Sequence, residues 1–451
     1  MIYDEINLIP QNINHYTKQK NSLLKQKDAV NIYKLKHQLM KKDLFNLLLA
    51  KKRTYNKIFI LLILLLPSAL MAQVKERQGG DTTYYKSLIP EEKQGLLKNV
   101  SMIANMRFAF RNEFVDGDYT KSRFMNEQFR LELKGKVHDK VYFRFRDRYT
   151  RAQTSESVDN LSRSVDLAFL RVDVSDKFSI AGGKLCADWG AIEFDMNPID
   201  IYEYSDIIEY ADNFLTGVQA SWVLNPKNQF TFQVLDSRTK TFNELYGPQP
   251  GLEESKAPLA FVANWRGSLF NGKFNTIWSY ARHNEAQDTI ADKAVGMNYF
   301  ALGNQLKLKK LTIEYDYKIS MEDIDRTSII TQEANAAGYP YVVRETVYIG
   351  HWLHLYYRLN PKINLALVAM LDIAKYKDDI DPLKTSDDIR NAWGFIPTIE
   401  YYPFQNLNLR FYANWVGRKY EYSDYAKSRL GSKDYNTGRF SIGFVTPLGI
   451  F

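Results

Sequence analysis

Arginine residues two positions apart form the most distinctive charged pattern in the sequence. Arg144, Arg146 and Arg148 alternate with Phe143 and Phe145. Side chains at positions i, i+2 and i+4 share a face only when the backbone is extended. The pattern therefore predicts a β-strand with a row of guanidinium groups on one face, which is a surface that attracts anions.

The two preceding segments also carry basic side chains on alternate positions. Arg107 and Arg111 share a face in the first, and Arg130, Lys134 and Lys136 share one in the second. We assign seven cations to one basic wall: Arg107, Arg111, Arg130, Lys134, Arg144, Arg146 and Arg148.

A second charged pattern, the acidic segment, covers residues 188–213. It contains no lysine or arginine. It also carries apolar residues such as Trp189, Ile199 and Ile208, which need burial and favour packing against the rest of the molecule. An acidic loop that faces solvent is the alternative. The carboxylates of the segment are Asp188, Glu193, Asp195, Asp200, Glu203, Asp206, Glu209 and Asp212.

Residues suited to catalysis or metal binding are sparse. After residue 73 the histidines are His138, His283, His351 and His354. His351 and His354 are three positions apart in a predicted strand, so they face opposite sides and cannot bind one metal ion together. No Gly-x-Ser-x-Gly nucleophile motif is present. We expect no enzyme activity, no cofactor and no metal.

The elements that must position these charges repeat one unit of 10–13 residues with alternating apolar and polar character. Residues 311–319 show it most clearly, because odd positions are apolar or aromatic and even positions are polar. This period of two indicates a strand with one apolar face. The predicted strands are 101–113, 123–137, 140–150, 164–174, 177–187, 214–224, 228–236, 257–268, 273–283, 296–308, 311–320, 347–359, 362–374, 391–402, 407–418 and 437–448.

The connections between these sixteen segments alternate in length. Seven are very short, such as Asn271-Gly272 and Asn360-Pro361, and eight run from about 9 to 27 residues. Strands of about 9–11 residues cross a membrane at a tilt, whereas soluble strands average five or six. The pattern predicts an all-β fold, a 16-stranded antiparallel transmembrane β-barrel with short periplasmic turns and long extracellular loops. A soluble β-sandwich is the alternative.

A secretion signal precedes the barrel. Four basic residues lie between positions 51 and 57, and the apolar run from Ile58 to Ala72 has 15 residues, fewer than the roughly 20 that a spanning helix needs. We predict a signal peptide at 40–72, a non-native or mis-annotated extension at 1–39, a periplasmic segment at 73–100 and the barrel at 101–451.

The excess of basic over acidic side chains lies in the first 72 residues of the chain. The chain has 60 basic and 52 acidic side chains, and residues 1–72 hold 12 and 4 of them, which leaves 48 of each. We therefore predict no nucleic-acid partner. Cys186 is the single cysteine, which excludes an internal disulfide.

The chain ends in an aromatic-rich segment whose last residue is Phe451. This ending resembles the C-terminal signal that the barrel-assembly machinery recognises in bacterial outer-membrane barrels. Pro447 interrupts the alternation, so we expect a bulge or the end of the strand there.

Together with the signal, the strands and the terminal Phe451, two segments resemble the porin O and P superfamily, with the closest likeness to its Bacteroidetes branch. They are Ala181-Gly182-Gly183-Lys184-Leu185-Cys186-Ala187-Asp188-Trp189-Gly190 and Asn197-Pro198-Ile199-Asp200-Ile201-Tyr202-Glu203-Tyr204. The resemblance implies a sixteen-stranded, trimeric porin. Phosphate-selective members place lysines and arginines along the pore and in the loop that narrows it. The acidic segment lacks both, so we do not predict phosphate selectivity.

In a barrel, an arginine facing lipid at the midplane would cost about 2–4 kcal/mol, so the basic wall should face the lumen. The acidic segment is the third long connection, and we expect it to fold inward as a constriction that faces the basic wall across a narrow gap. Charges opposed in this way would orient polar solutes and disfavour apolar ones.

The resulting hypothesis is passive diffusion of small hydrophilic solutes or ions through a porin in the bacterial outer membrane. The expected partners are membrane lipid, the barrel-assembly machinery and two further copies of the chain. A structural or adhesive barrel with a closed lumen and an outer-membrane enzyme are the alternatives. A TonB-dependent transporter would need about 22 strands and a plug domain, and the 28 residues between Gln73 and the first strand are too few.

Overall fold

The computed structural model describes residues 99–151, 157–377, 386–404 and 406–450. The segments predicted at 1–39 and 40–72, almost all of 73–100, and Phe451 lie outside the described residues.

The described chain forms one closed antiparallel sheet of sixteen long strands, because β1 pairs with both β2 and β17. A short strand, β8, lies outside this circuit and pairs only with the extracellular end of β10. The strands are β1 (Val100–Val115), β2 (Asp118–His138), β3 (Val141–Arg148), β4 (Val165–Asp173), β5 (Phe178–Cys186), β6 (Phe214–Asn225), β7 (Asn228–Asp236), β8 (Leu252–Glu254), β9 (Leu259–Leu269), β10 (Phe274–Asp288), β11 (Lys293–Lys307), β12 (Leu311–Ile324), β13 (Arg344–Asn360), β14 (Ile363–Tyr376), β15 (Asp388–Tyr401), β16 (Arg410–Tyr422) and β17 (Tyr435–Gly449).

The predicted barrel of sixteen strands is confirmed, and each predicted segment overlaps one long strand. Large apolar side chains such as Leu365, Trp393 and Phe395 are 40–53% exposed, while Asp372 and Glu400, on the opposite parity of the same strands, are 3% and 5% exposed. This inside-out distribution suits a protein with lipid outside and a polar lumen.

Two of the eight connections predicted to be long are hairpins instead. Residues 114–122 were expected to form a loop, but β1 and β2 continue to a two-residue turn at Asp116 and Gly117, where φ is 51° and 90°. Likewise β10 and β11 extend to Asp288 and Lys293. The strands keep pairing beyond the predicted ends because the ladder goes on satisfying their backbone groups.

The expected bulge or strand end at Pro447 is wrong. β17 continues to Gly449 and pairs with β1 in unbroken register, with Pro447 opposite Asn105. The pairing between β16 and β17 reaches only Val445. Pro447 therefore lies where β17 is an edge strand, which tolerates the missing N–H.

Short helices lie in the long connections. No helix of the described ranges is long and apolar enough to span a bilayer. The helices are α1 (Ile192–Asp195), a 3-10 helix (Pro198–Asp200), α2 (Asp206–Tyr210), α3 (Phe242–Tyr246), α4 (Ile329–Ala336) and a π-helix (Ala426–Leu430). The first three belong to the acidic segment, which contributes to the largest buried apolar cluster inside the barrel.

Candidate functional site in the barrel lumen

Three arginines of the basic wall surround one carboxylate on the inner face of β2, β3 and β4. Asp166 is fully buried and lies 2.7 Å from Arg148, 3.4 Å from Arg146 and 3.5 Å from Arg130. The pairing of β3 with β4 shifts register after Arg146, so Asp166 of β4 has no partner residue on β3. This irregularity turns the side chain of Asp166 inward. One carboxylate cannot neutralise three guanidinium groups, so this group of side chains keeps a positive excess.

A second group lies nearer the periplasmic end of the same strands. Glu132 lies 3.1 Å from Arg144 and 3.4 Å from Lys134, and 4.0 Å from Arg146. The side chain of Arg144 is 25% exposed and that of Lys134 is 18% exposed. These cations therefore reach water inside the barrel while they contact a carboxylate.

Arg107 and Arg111 of β1 share Glu127, at 2.8 Å and 3.5 Å, and Arg111 also contacts Glu113 at 3.4 Å. Among the described residues, four carboxylates pair with the seven predicted cations: Glu113, Glu127, Glu132 and Asp166. Glu113 also contacts Lys121 at 3.2 Å and Arg123 at 3.6 Å.

Arg107 is 6% exposed, and it differs from the rest of the basic wall because it donates hydrogen bonds to the acidic segment. Its Nη1 donates to the backbone carbonyls of Ile199 at 3.1 Å and Ile201 at 2.5 Å, and its guanidinium lies 5.3 Å from the ring of Tyr202. Arg107 therefore holds the segment in place instead of facing water.

The acidic segment buries its apolar side chains against the inner face of the barrel. Trp189 and Ile199 are 1% exposed and Ile208 is 2% exposed. Trp189 packs edge-to-face on Tyr299 of β11, with ring centroids 4.4 Å apart. Asn197 begins the 3-10 helix, and its side chain accepts from the backbone N–H of Ile199 at 3.3 Å. The apolar residues singled out in the sequence thus fix the path of the segment.

Most carboxylates of the segment pair with cations outside the basic wall. Seven of the eight pair with cations that lie on β9, β12 and β15–β17 or just after β12, whereas Glu209 is exposed and lies within electrostatic range of Arg148 of the basic wall. The ion pairs are Asp188–Arg266 (2.7 Å), Asp195–Arg266 (2.9 Å), Glu193–Lys318, Asp200–Arg410, Glu203–Arg439 (3.0 Å), Asp206–Arg390, Asp206–Arg418 (2.9 Å) and Asp212–Arg326 (2.8 Å).

The cations of these pairs were missed in the sequence. Lys318 and Arg410 lie at the polar positions of two strands in which apolar and polar residues alternate. This alternation predicts that both side chains face the lumen. Their partners were not predictable, because the pairs join positions more than 120 residues apart. The segment reaches them by crossing the lumen to the opposite side of the barrel.

The two histidines near the middle of β13 face opposite sides, as predicted. His354 Nδ1 lies 2.7 Å from Glu314 on the inner face, and His351 Nδ1 lies 2.9 Å from the hydroxyl of Tyr315 on the outer face. The two rings therefore do not meet.

Comparison with known proteins identifies the family. The phosphate-selective porin O and P family matches residues 100–444. No curated protein matches the chain. Among solved structures, the outer membrane channel DcaP of Acinetobacter baumannii is 13% identical, covers 77% of this chain and 97% of its own, and gives a TM-score of 0.51. The anion-selective porin from Comamonas acidovorans is 10% identical over 77% and 99% of the two chains, with a TM-score of 0.52.

At these identities the two structures show a shared fold alone, a closed antiparallel barrel. The family match is stronger, because it covers nearly the whole described barrel and both segments that resembled the family in the sequence. This chain therefore belongs to the phosphate-selective porin O and P family and is a porin of the bacterial outer membrane, through which solutes diffuse passively.

Proposed function

We propose that small hydrophilic solutes and ions pass along the side of the lumen that β1–β4 border, and that the acidic segment forms the constriction. Two features support this path. Seven carboxylates of the segment are paired with cations on the opposite side of the barrel. Lys134, Arg144 and Arg148 of β2 and β3 keep contact with water. The permeating solute would thus meet the basic wall on one side and the acidic segment on the other.

We propose further that this path favours anions. The observation that carries the proposal is that the seven cations of the basic wall outnumber the four described carboxylates with which they pair. An excess of one sign along a water-filled path raises the local concentration of counter-ions. The preference rests on the wall alone, since the acidic segment has no lysine or arginine that would add to it. We assign no selectivity for phosphate.

Reversal potentials of the purified porin in a planar bilayer under a salt gradient test this proposal. The double variant Arg144→Gln with Arg148→Gln removes two charges that are 25% and 21% exposed. We expect the parent to prefer anions and the variant to shift toward cations. Lys419→Gln is the control, because Lys419 is 56% exposed and lies on the outward parity of β16. An unchanged reversal potential in the double variant would place the path elsewhere.

The competing function is that of a structural or adhesive barrel with a closed lumen. The same bilayer experiment distinguishes this function from diffusion. A purified protein that inserts and passes no current would contradict the proposed diffusion path. Enzyme activity has no support in the arrangement of the described side chains, and the family is one of channels.

We infer from the family resemblance that the porin is a homotrimer and that Phe451 is part of its assembly signal. The broad apolar outer face, with side chains such as Leu170 and Phe232 each 55% exposed, is available to lipid and to neighbouring copies. Native mass measurement in mild detergent tests the trimer, and a single-chain mass would contradict it. Replacing Phe451 by Ser should reduce the yield of folded barrel in the membrane.

A further inference from the structure

Three β-bulges each add an acidic residue whose side chain turns inward. Glu127 of β2 has no partner on β1, because the pairing shifts register at this point. Asp166 of β4 and Glu285 of β10 are unpaired extra residues of the same kind. A bulge re-aims a side chain that regular alternation would direct elsewhere. The side chains of Glu127, Asp166 and Glu285 are 7%, 0% and 1% exposed, and each of them contacts arginine.

Both oxygens of Asp166 lie against guanidinium groups of the basic wall. Oδ1 accepts from Arg148 Nε at 3.2 Å and from Arg148 Nη2 at 2.7 Å. Oδ2 lies 3.4 Å from Arg146 Nε and 3.5 Å from Arg130 Nε. Arg130 is buried, whereas the side chain of Arg148 is 21% exposed. A solute in the proposed path therefore reaches this cluster through Arg148.

Glu127 has the same relation to the two arginines of β1. Its Oε2 lies 2.8 Å from Arg107 Nε and accepts from the hydroxyl of Tyr412 at 3.1 Å. Its Oε1 lies 3.5 Å from Arg111 Nε, and the side chain of Arg111 is 16% exposed. Each bulge carboxylate of the wall thus connects an arginine that water reaches with a buried arginine.

A carboxylate in such a position resembles the solutes that the wall attracts. It is a planar anion with two acceptor oxygens, and guanidinium groups bind carboxylates and phosphates through the same N–H groups. Glu127 and Asp166 each lower the positive charge of their cluster by one and occupy N–H groups that an oxyanion could use. Conduction requires a site that binds an ion strongly enough to admit it and weakly enough to release it. A fixed carboxylate weakens binding while the arginines stay in place.

We propose that Glu127 and Asp166 set the anion affinity of the basic wall, as fixed counter-ions that compete with permeating anions for the arginines. The proposal rests on the anion path proposed above. The bulges place these carboxylates among the arginines, and the wall then attracts small anions without trapping them.

Planar-bilayer currents of the purified porin with Asp166→Asn or with Glu127→Gln test the proposal. Each substitution removes one negative charge and nearly preserves the volume of the side chain. We expect the reversal potential under a salt gradient to shift toward anions in both variants. Inorganic phosphate added to a chloride solution should block the chloride current at a concentration about fivefold or more below that for the parent, which is the effect of one unit charge at about 4 Å in water.

Glu285→Gln is the matched control. Glu285 is also a buried bulge carboxylate with two arginine partners, but these are Arg238 at 2.8 Å and Arg326 at 3.1 Å, which lie outside the basic wall. Its substitution should leave the reversal potential and the phosphate block unchanged. Shifts of equal size in Glu285→Gln would show that the loss of any buried carboxylate alters the currents, and they would overturn the proposal.

Reversal potentials and phosphate block that stay at the parent values in the wall variants would also overturn it, even if the parent prefers anions. A parent without anion preference would contradict the proposed path instead, and a shift toward anions in the variants would still support the role of the two carboxylates. The mobility shift between folded and heat-denatured porin verifies that each variant is folded. Because Glu127 and Asp166 lie in separate clusters, either variant decides the proposal if the other does not fold.

Discussion

Lys318 shows how single residues hold the acidic segment in the lumen. It is fully buried, pairs with Glu193 and lies 3.8 Å from Asp316. Asp316 also accepts from the backbone N–H groups of Ile192 and Glu193, at 3.1 Å and 2.8 Å. A buried charge is tolerated only when paired and hydrogen-bonded in this way. One strand position thereby fixes both the side chains and the backbone of α1.

Replacing Lys318 by Met should therefore destabilise the folded porin. Glu193 and Asp316 would keep buried carboxylates without the ammonium group, and breaking a buried pair costs about 3–5 kcal/mol. Lys419→Met is the control, because Lys419 and Glu421 are 56% and 40% exposed and such a pair contributes roughly 0–1 kcal/mol. Equilibrium unfolding in detergent micelles compares the two variants. Equal midpoints would show that the Lys318 pair contributes no more than a surface pair.

The accessibility of single positions tests which face of each strand meets water. In a Cys186→Ser background, cysteine at Arg148 should react with a small charged thiol reagent, because this side chain contacts water in the lumen. Cysteine at Leu365 or Leu367 should not react, since both occupy the lipid-facing parity of β14. Rates measured in intact outer membranes check this, and labelling at the leucine positions would reverse the assignment of faces.

At the scale of the strand, Gly183 sets how closely β4 and β5 approach. Its φ is +127°, and a Cβ there would lie 2.3 Å from the backbone oxygen of Ala168 and 2.9 Å from Cα of Phe169. The neighbouring Gly182 has room, because its nearest contact, Gly217 O, is 4.0 Å away. The Gly-Gly pair of the family-like segment thus contains one glycine that the backbone requires.

Gly183→Ala should lower the stability of the barrel and its folded yield, while Gly182→Ala should not. Backbone strain of this kind costs about 1–3 kcal/mol before the clash is counted. A surface substitution without such a feature stays within about 0.5 kcal/mol. The shift in gel mobility between folded and heat-denatured porin, followed through a urea titration, compares the two variants. A loss of stability in Gly182→Ala of equal size would argue against the close approach at Gly183.

The strands could be predicted from sequence because the pattern that marks each strand lies within its own residues. Alternation with a period of two gave sixteen strands, and turn residues such as Asn360 marked the short connections. The hairpin ends at Asp116 and Asp288 were missed, because polar residues above the membrane lose the alternation although pairing continues. The partners of Asp206 and Glu193 were also missed, since they depend on the path of a segment across the lumen. No local pattern encodes that path.

Across the whole molecule, positive and negative charges are distributed unevenly between two sides of the lumen. On the side of β9–β17, cations such as Arg266 and Arg418 are matched by carboxylates of the acidic segment and of the strands themselves, including Asp372. On the side of β1–β4, the seven cations of the basic wall outnumber the carboxylates that pair with them among the described residues. The acidic segment thus supplies counter-charges mainly to the side of β9–β17, which is the basis of the proposed anion preference along β1–β4.

This arrangement makes a prediction for the dependence of selectivity on salt. Lys134, Arg144 and Arg148 of the proposed path contact water, so their charges are screened by salt. The Debye length falls from about 10 Å at 0.1 M salt to about 3 Å at 1 M. We expect a clear anion preference under a fixed gradient at low mean salt and a much weaker one at high mean salt. Arg144→Gln with Arg148→Gln should remove most of the difference between the two conditions. Reversal potentials of parent and double variant at both concentrations check this. A preference that stays the same at high salt would have to come from buried charges or from the width of the constriction.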